Sequence, residues 1–68
     1  MNEETLNVSI RRYLKAVGIK SQREIEQAVA AALASGKLAG CKSLPITMKL
    51  HLGTVELNFK FDGTIDLE

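Results

Sequence analysis

The stretch Gly18–Gly36, GIKSQREIEQAVAAALASG, decides the fold, because it either opens a second helix or continues the first. Ser21 followed three residues later by Glu24 has the pattern of a capping box, in which the hydroxyl accepts from the N3 amide and the glutamate reaches back to the cap amide. Gly18 sits just ahead of it, where a glycine suits the C′ stop of a preceding helix. Behind the cap, Ile25, Ala28, Val29, Ala32 and Leu33 make one apolar stripe at helical spacing. Gly36 then offers a second stop. Read this way, the stretch is a complete helix with its own start and end.

Upstream, Leu6, Ile10, Tyr13, Leu14 and Val17 form another helical stripe over residues 3 to 17. Asn2 is a suitable N-cap, and Glu3 and Glu4 suit the positive end of the helix dipole. Residues 37 to 44, KLAGCKSL, read as a loop anchored by Leu38 and Leu44.

From Pro45 onward the period changes to two. Ile46, Met48, Leu50 and Leu52 alternate with Thr47, Lys49 and His51, and Val55, Leu57, Phe59 and Phe61 alternate with Glu56, Asn58 and Lys60. Gly53-Thr54 suits a two-residue hairpin turn that pairs Leu52 with Val55. Asp62-Gly63 suits a three-residue turn with a left-handed glycine, leading to a third strand, Thr64 to Leu67. The expectation is one domain, residues 1–68, of class α+β: two N-terminal helices packed on one face of a three-stranded antiparallel β-meander, ααβββ.

A chain of 68 residues buries little on folding, roughly 60% of its unfolded surface. Small domains reinforce such a core with disulfides, metals or partner subunits. Cys41 is the only cysteine and His51 the only histidine, so an internal disulfide is excluded and a four-ligand zinc site is not expected. Partner subunits are what is left. No metal and no cofactor are expected.

Net charge is +1, too near neutral to demand a nucleic-acid or acidic partner. The N-terminus MNEETLNVSI has no apolar h-region of a signal peptide, and no apolar run approaches the ~20 residues of a membrane span. A lone free cysteine fits a reducing compartment. The expected location is the cytoplasm, with no membrane association.

Chemistry finds few footholds. Nucleophilic catalysis needs a nucleophile beside an oriented base, and Cys41 in a loop is not expected to meet His51 on the outward face of a strand. Cys41 reads as a small buried residue and His51 as a surface residue opposite Glu56. Glu56, Asp66 and Glu68 are carboxylates on a solvated face that supplies no pocket to tune them. No glycine cluster follows a strand and opens a helix, so phosphate-loop and dinucleotide motifs do not apply. No catalytic residues, and no enzyme, are expected.

Two binding surfaces stand out instead. The outward side of the second helix, Arg23, Gln27, Ala30, Ala31 and Ala34, is rich in small side chains and is a candidate partner face. Arg11, Arg12, Lys15 and Lys20 make a candidate basic face able to touch phosphates. The order helix, turn, helix, hairpin raises the alternative of a nucleic-acid-binding module of reduced winged-helix type. Against that alternative stand the missing third helix, a shortage of base-reading groups on the second helix, and a wing turn, LGT, with no basic residue.

The opening MNEETLNVSIRRYLKAVG, then SQREIE at 21–26, GKLAG at 36–40 and FDGTIDLE at 61–68 together resemble a family of small bacterial proteins of unknown function, whose members share MNEETxNxSIRxxLKxVG, SQREIE, GKLxG and FDGxIxLE. The resemblance covers nearly the whole chain. It implies a stand-alone bacterial protein and carries over no activity, cofactor or site residue. The functional expectation is a non-enzymatic macromolecular interaction module whose partner is an unidentified protein or a second copy in a homodimer. Sheet edges at 46 to 52 and 64 to 67 offer further places for a partner strand.

Overall fold

The computed structural model describes residues 1–68, which divide into two units, Met1–Leu38 and Ala39–Glu68. The first is one helix with its C-terminal turn. The second is a β-hairpin.

Helix α1 runs without interruption from Glu3 to Ala34. Asn2 caps it, its side-chain oxygen accepting from the Thr5 amide at 3.0 Å, and Glu3 and Glu4 occupy the positive first turn. The expected break at Gly18 is absent. Gly18 has no positive φ and no neighbour within 4 Å of a would-be Cβ, so it is an ordinary helical residue.

The physical reason lies in the phase of the apolar stripe. Leu14, Val17, Ser21 and Ile25 follow at spacings of three, four and four, so the two stripes join on one side of one helix. A glycine in mid-helix costs about 1 kcal/mol relative to alanine, and a stripe spanning some eight turns outweighs it. The Ser21–Glu24 pair is therefore a capping pattern inside a helix, where the Glu24 amide already bonds four residues back. Half-buried positions fall at Val17, Ser21, Ile25, Val29 and Ala32, but no helix side chain is fully buried.

The helix ends where Gly36 was expected to end it. Gly36 takes φ +79°, its amide donates to the Leu33 carbonyl (3.2 Å), and the Lys37 amide donates to the Ala32 carbonyl (3.0 Å). These are the two bonds of a Schellman cap, and the left-handed residue between them favours glycine.

The second unit holds strand β1 (Ser43–Leu52) and strand β2 (Leu57–Asp66), paired antiparallel in a two-stranded sheet. The register runs from Ser43 opposite Asp66 to Leu52 opposite Leu57. This corrects the three-stranded meander twice. Gly53-Thr54 is part of a four-residue connection, a 3₁₀ turn over Gly53–Val55 followed by Glu56 in the left-handed region at φ 54°. Leu52 thus pairs with Leu57 rather than Val55.

Asp62-Gly63 is no turn at all. Gly63 has no positive φ and lies inside β2 opposite Ile46, and the Asp62 carboxylate accepts from the Thr47 hydroxyl across the sheet at 2.8 Å. A through-running strand satisfies Asp62 by a cross-strand bond, which a turn would not. The expected third strand is the end of β2. The observed fold is α+β with one helix and two strands, in place of ααβββ.

No helix of the chain is long and apolar enough to cross a membrane.

Two substitutions test these corrections by denaturation followed with circular dichroism. Gly18→Ala should stabilise the chain by about 1 kcal/mol, because a mid-helix glycine gains propensity as alanine; a loss would place a left-handed stop there. Gly63→Ala should stabilise by roughly 0.5–1 kcal/mol, since its Cβ meets Ile46 Cγ2 in ordinary contact at 3.6 Å. A turn glycine would instead destabilise on the same change.

Candidate functional site

Strand alternation sorts the hairpin into two faces. Leu44, Ile46, Met48, Leu50 and Leu52 share one face with Leu57, Phe59, Phe61, Gly63 and Ile65. The other carries the polar residues of both strands. Toward the open end of the hairpin, Leu44, Ile46 and Ile65 are half-buried. Toward the turn, Met48, Leu50, Leu52, Leu57, Phe59 and Phe61 are all exposed, from 41% at Leu50 and Leu57 to 66% at Phe61. The rings of Phe59 and Phe61 lie 6.3 Å apart at 44°, within the range of a favourable aromatic pair.

The hydrogen bonds of the hairpin ladder alternate in a definite phase. The Leu67 amide donates to the Lys42 carbonyl at 2.8 Å, which makes residues 42 and 67 a hydrogen-bonded pair. Such pairs alternate along an antiparallel ladder, so even residues of β1 and odd residues of β2 point their amides and carbonyls at each other. The remaining groups face the two free edges. On the β1 edge one of these positions is Pro45, which has no amide to offer. On the β2 edge Asn58, Lys60, Asp62, Thr64 and Asp66 all keep amide and carbonyl, and no backbone bond to another element occupies them.

One hollow forms on the hairpin, lined by Lys49, Leu50, His51, Asn58, Phe59 and Lys60. Its polar groups are one imidazole, one amide and two ammonium groups. Lys49 stands directly opposite Lys60, and His51 opposite Asn58 rather than Glu56. Cys41 is exposed rather than buried. It precedes β1, whose first residue, Ser43, is already roughly 26 Å from His51 at 3.3 Å per residue. Glu56 in the turn and Asp66 at the opposite end are separated by a similar span, so the three carboxylates do not assemble. No group of three His, Cys, Asp or Glu side chains is gathered anywhere.

On α1, the candidate partner face Arg23, Gln27, Ala30, Ala31 and Ala34 is exposed and forms one strip, about 100° wide at 3.6 residues per turn. Apart from Arg23 and Gln27 it offers only methyl groups. The candidate basic face Arg11, Arg12, Lys15 and Lys20 is exposed too, but spreads over about 180° of the helix. The turn that would separate two helices of a winged-helix motif is helical.

Sequence reasoning missed two features. The turn end of the apolar sheet face, expected to be buried, is exposed, and the strand after the first turn, expected to be central in a sheet, lies at its edge. The signal for the second was present in the equal lengths available to two ten-residue strands on either side of residues 53–56.

No curated protein and no solved structure is detectably similar to the chain. Over residues 1–68 it matches the family described as "Family of unknown function (DUF6494)", to which this chain therefore belongs.

Proposed function

We propose that the chain is a non-enzymatic interaction module of the cytoplasm, and that its binding surface is the apolar face of the hairpin, which takes a protein partner with an apolar surface of its own. The observation that carries this reading is the run of six exposed apolar side chains around Met48, Leu50, Phe59 and Phe61. A two-stranded hairpin alone is marginal in water and gains stability when its hydrophobic face is covered. Each Leu, Met or Phe fully buried there contributes roughly 1.5–3 kcal/mol, so the face rewards a partner strongly. Phe and Met are also the residue types enriched at interface centres.

A photo-reactive benzophenone side chain placed at Phe59, on the apolar face, or at His51, on the polar face, tests the reading in native cells. Irradiation should give discrete protein adducts from the Phe59 position and few from the His51 position. Equal yields at the two, or none at either, would overturn the proposal.

A further inference from the structure

The β2 edge points to a specific partner. We propose that a second copy of this chain pairs with it, β2 against β2 and antiparallel, about a two-fold axis through Phe61. This rests on the interaction reading above and adds to it a contact at the strand edge, with a second copy as the partner there.

An edge on which five alternate residues, Asn58 to Asp66, keep amide and carbonyl free is a template for another strand. The β1 edge is interrupted by Pro45, so β2 is the better template. In the proposed register each residue lies opposite the one whose number completes 122. Phe61 then faces the partner's Phe61, Phe59 faces the partner's Gly63, and Leu57 faces the partner's Ile65. The apolar faces of both hairpins become one face of a four-stranded sheet, past the two-stranded limit of marginal stability. An aromatic side chain laid across a glycine in the next strand is itself a stabilising arrangement.

Charge selects this register. Lys60 has a like charge directly opposite it in its own hairpin, Lys49, which is unfavourable. A lysine on an edge normally discourages pairing. In this register alone, of those centred near the middle of β2, Lys60 meets the partner's Asp62 and Asp62 meets the partner's Lys60. Thr47 already holds one Asp62 oxygen, leaving the other to accept from the ammonium. Shifting the register by two residues in one direction brings Lys60 against Lys60. Shifting it in the other brings Asp62 against Asp62. The edge charges thus repel wrong pairings and attract the proposed one.

Sedimentation equilibrium of the full chain should show a species of twice the 7.4 kDa chain mass. Lys60→Asp should weaken self-association about tenfold, as two attractive pairs become two repulsive ones. The double reversal Lys60→Asp with Asp62→Lys should recover it. In a Cys41→Ser background, Phe61→Cys should oxidise to an interchain disulfide, because a non-hydrogen-bonded antiparallel pair brings its Cα atoms within disulfide range. Phe59→Cys should not, since its copy lies four residues along. A species of single-chain mass throughout overturns the proposal, as does a double reversal no better than Lys60→Asp, or cross-linking through position 59 in preference to 61. Adducts from the Phe59 photoprobe to other proteins with none to itself overturn self-pairing while leaving the interaction reading in place.

Discussion

Everything in the hairpin depends on the closing pair, Leu52 opposite Leu57. Once that pair is set, period-two alternation places ten apolar or glycine positions on one face. It also fixes which backbone groups bond inward and which are left at the edges. The Thr47–Asp62 bond, the seat of Gly63 beside Ile46 and the uninterrupted β2 edge are all consequences of it. A slip of one residue would turn every apolar side chain to the polar face.

Much of this was legible in the residues, and the rest was obscured for an identifiable reason. The apolar stripes of residues 6 to 33, the Asn2 cap and the Gly36 stop lie where the structure has them, while the strand expected to open at Pro45 begins two residues earlier, at Ser43. The errors cluster on punctuation. Gly18 and Asp62-Gly63 have the composition of breaks, yet the apolar pattern passes through both without changing phase, and pattern outweighs local preference when a long element is at stake. The Ser21–Glu24 box had the right spacing in a place where nothing ends or begins.

The turn was hidden for a subtler reason. Pairing Leu52 with Val55 or with Leu57 gives the same side-chain parity, because the two registers differ by two residues. Periodicity cannot separate them. What changes is the length of strand beyond the turn and the role of β2, which moves from the middle of a sheet to its edge. The β2 edge was legible only in part: residues 64 to 67 were expected at an edge, but its reach back to Leu57 depends on the strand absent beside it, and alternation carries no record of that.

The observed register also accepts two local costs. It holds Glu56, which has a Cβ, in the left-handed region at φ 54°, a conformation that penalises any residue but glycine by about 1–2 kcal/mol. It also sets Lys49 against Lys60, a like-charge pair on neighbouring strands. The two-residue turn would have placed Lys49 opposite Asn58 and freed Glu56 from its strain. Sequences break local rules of this kind where function rather than stability sets the choice. Lys60 contributes one of the costs and lies on the free edge of β2, with Lys49 rather than a carboxylate directly opposite it. A carboxylate from outside the hairpin would turn that cost into an attraction, and the strand that carries Lys60 carries Asp62 two residues away.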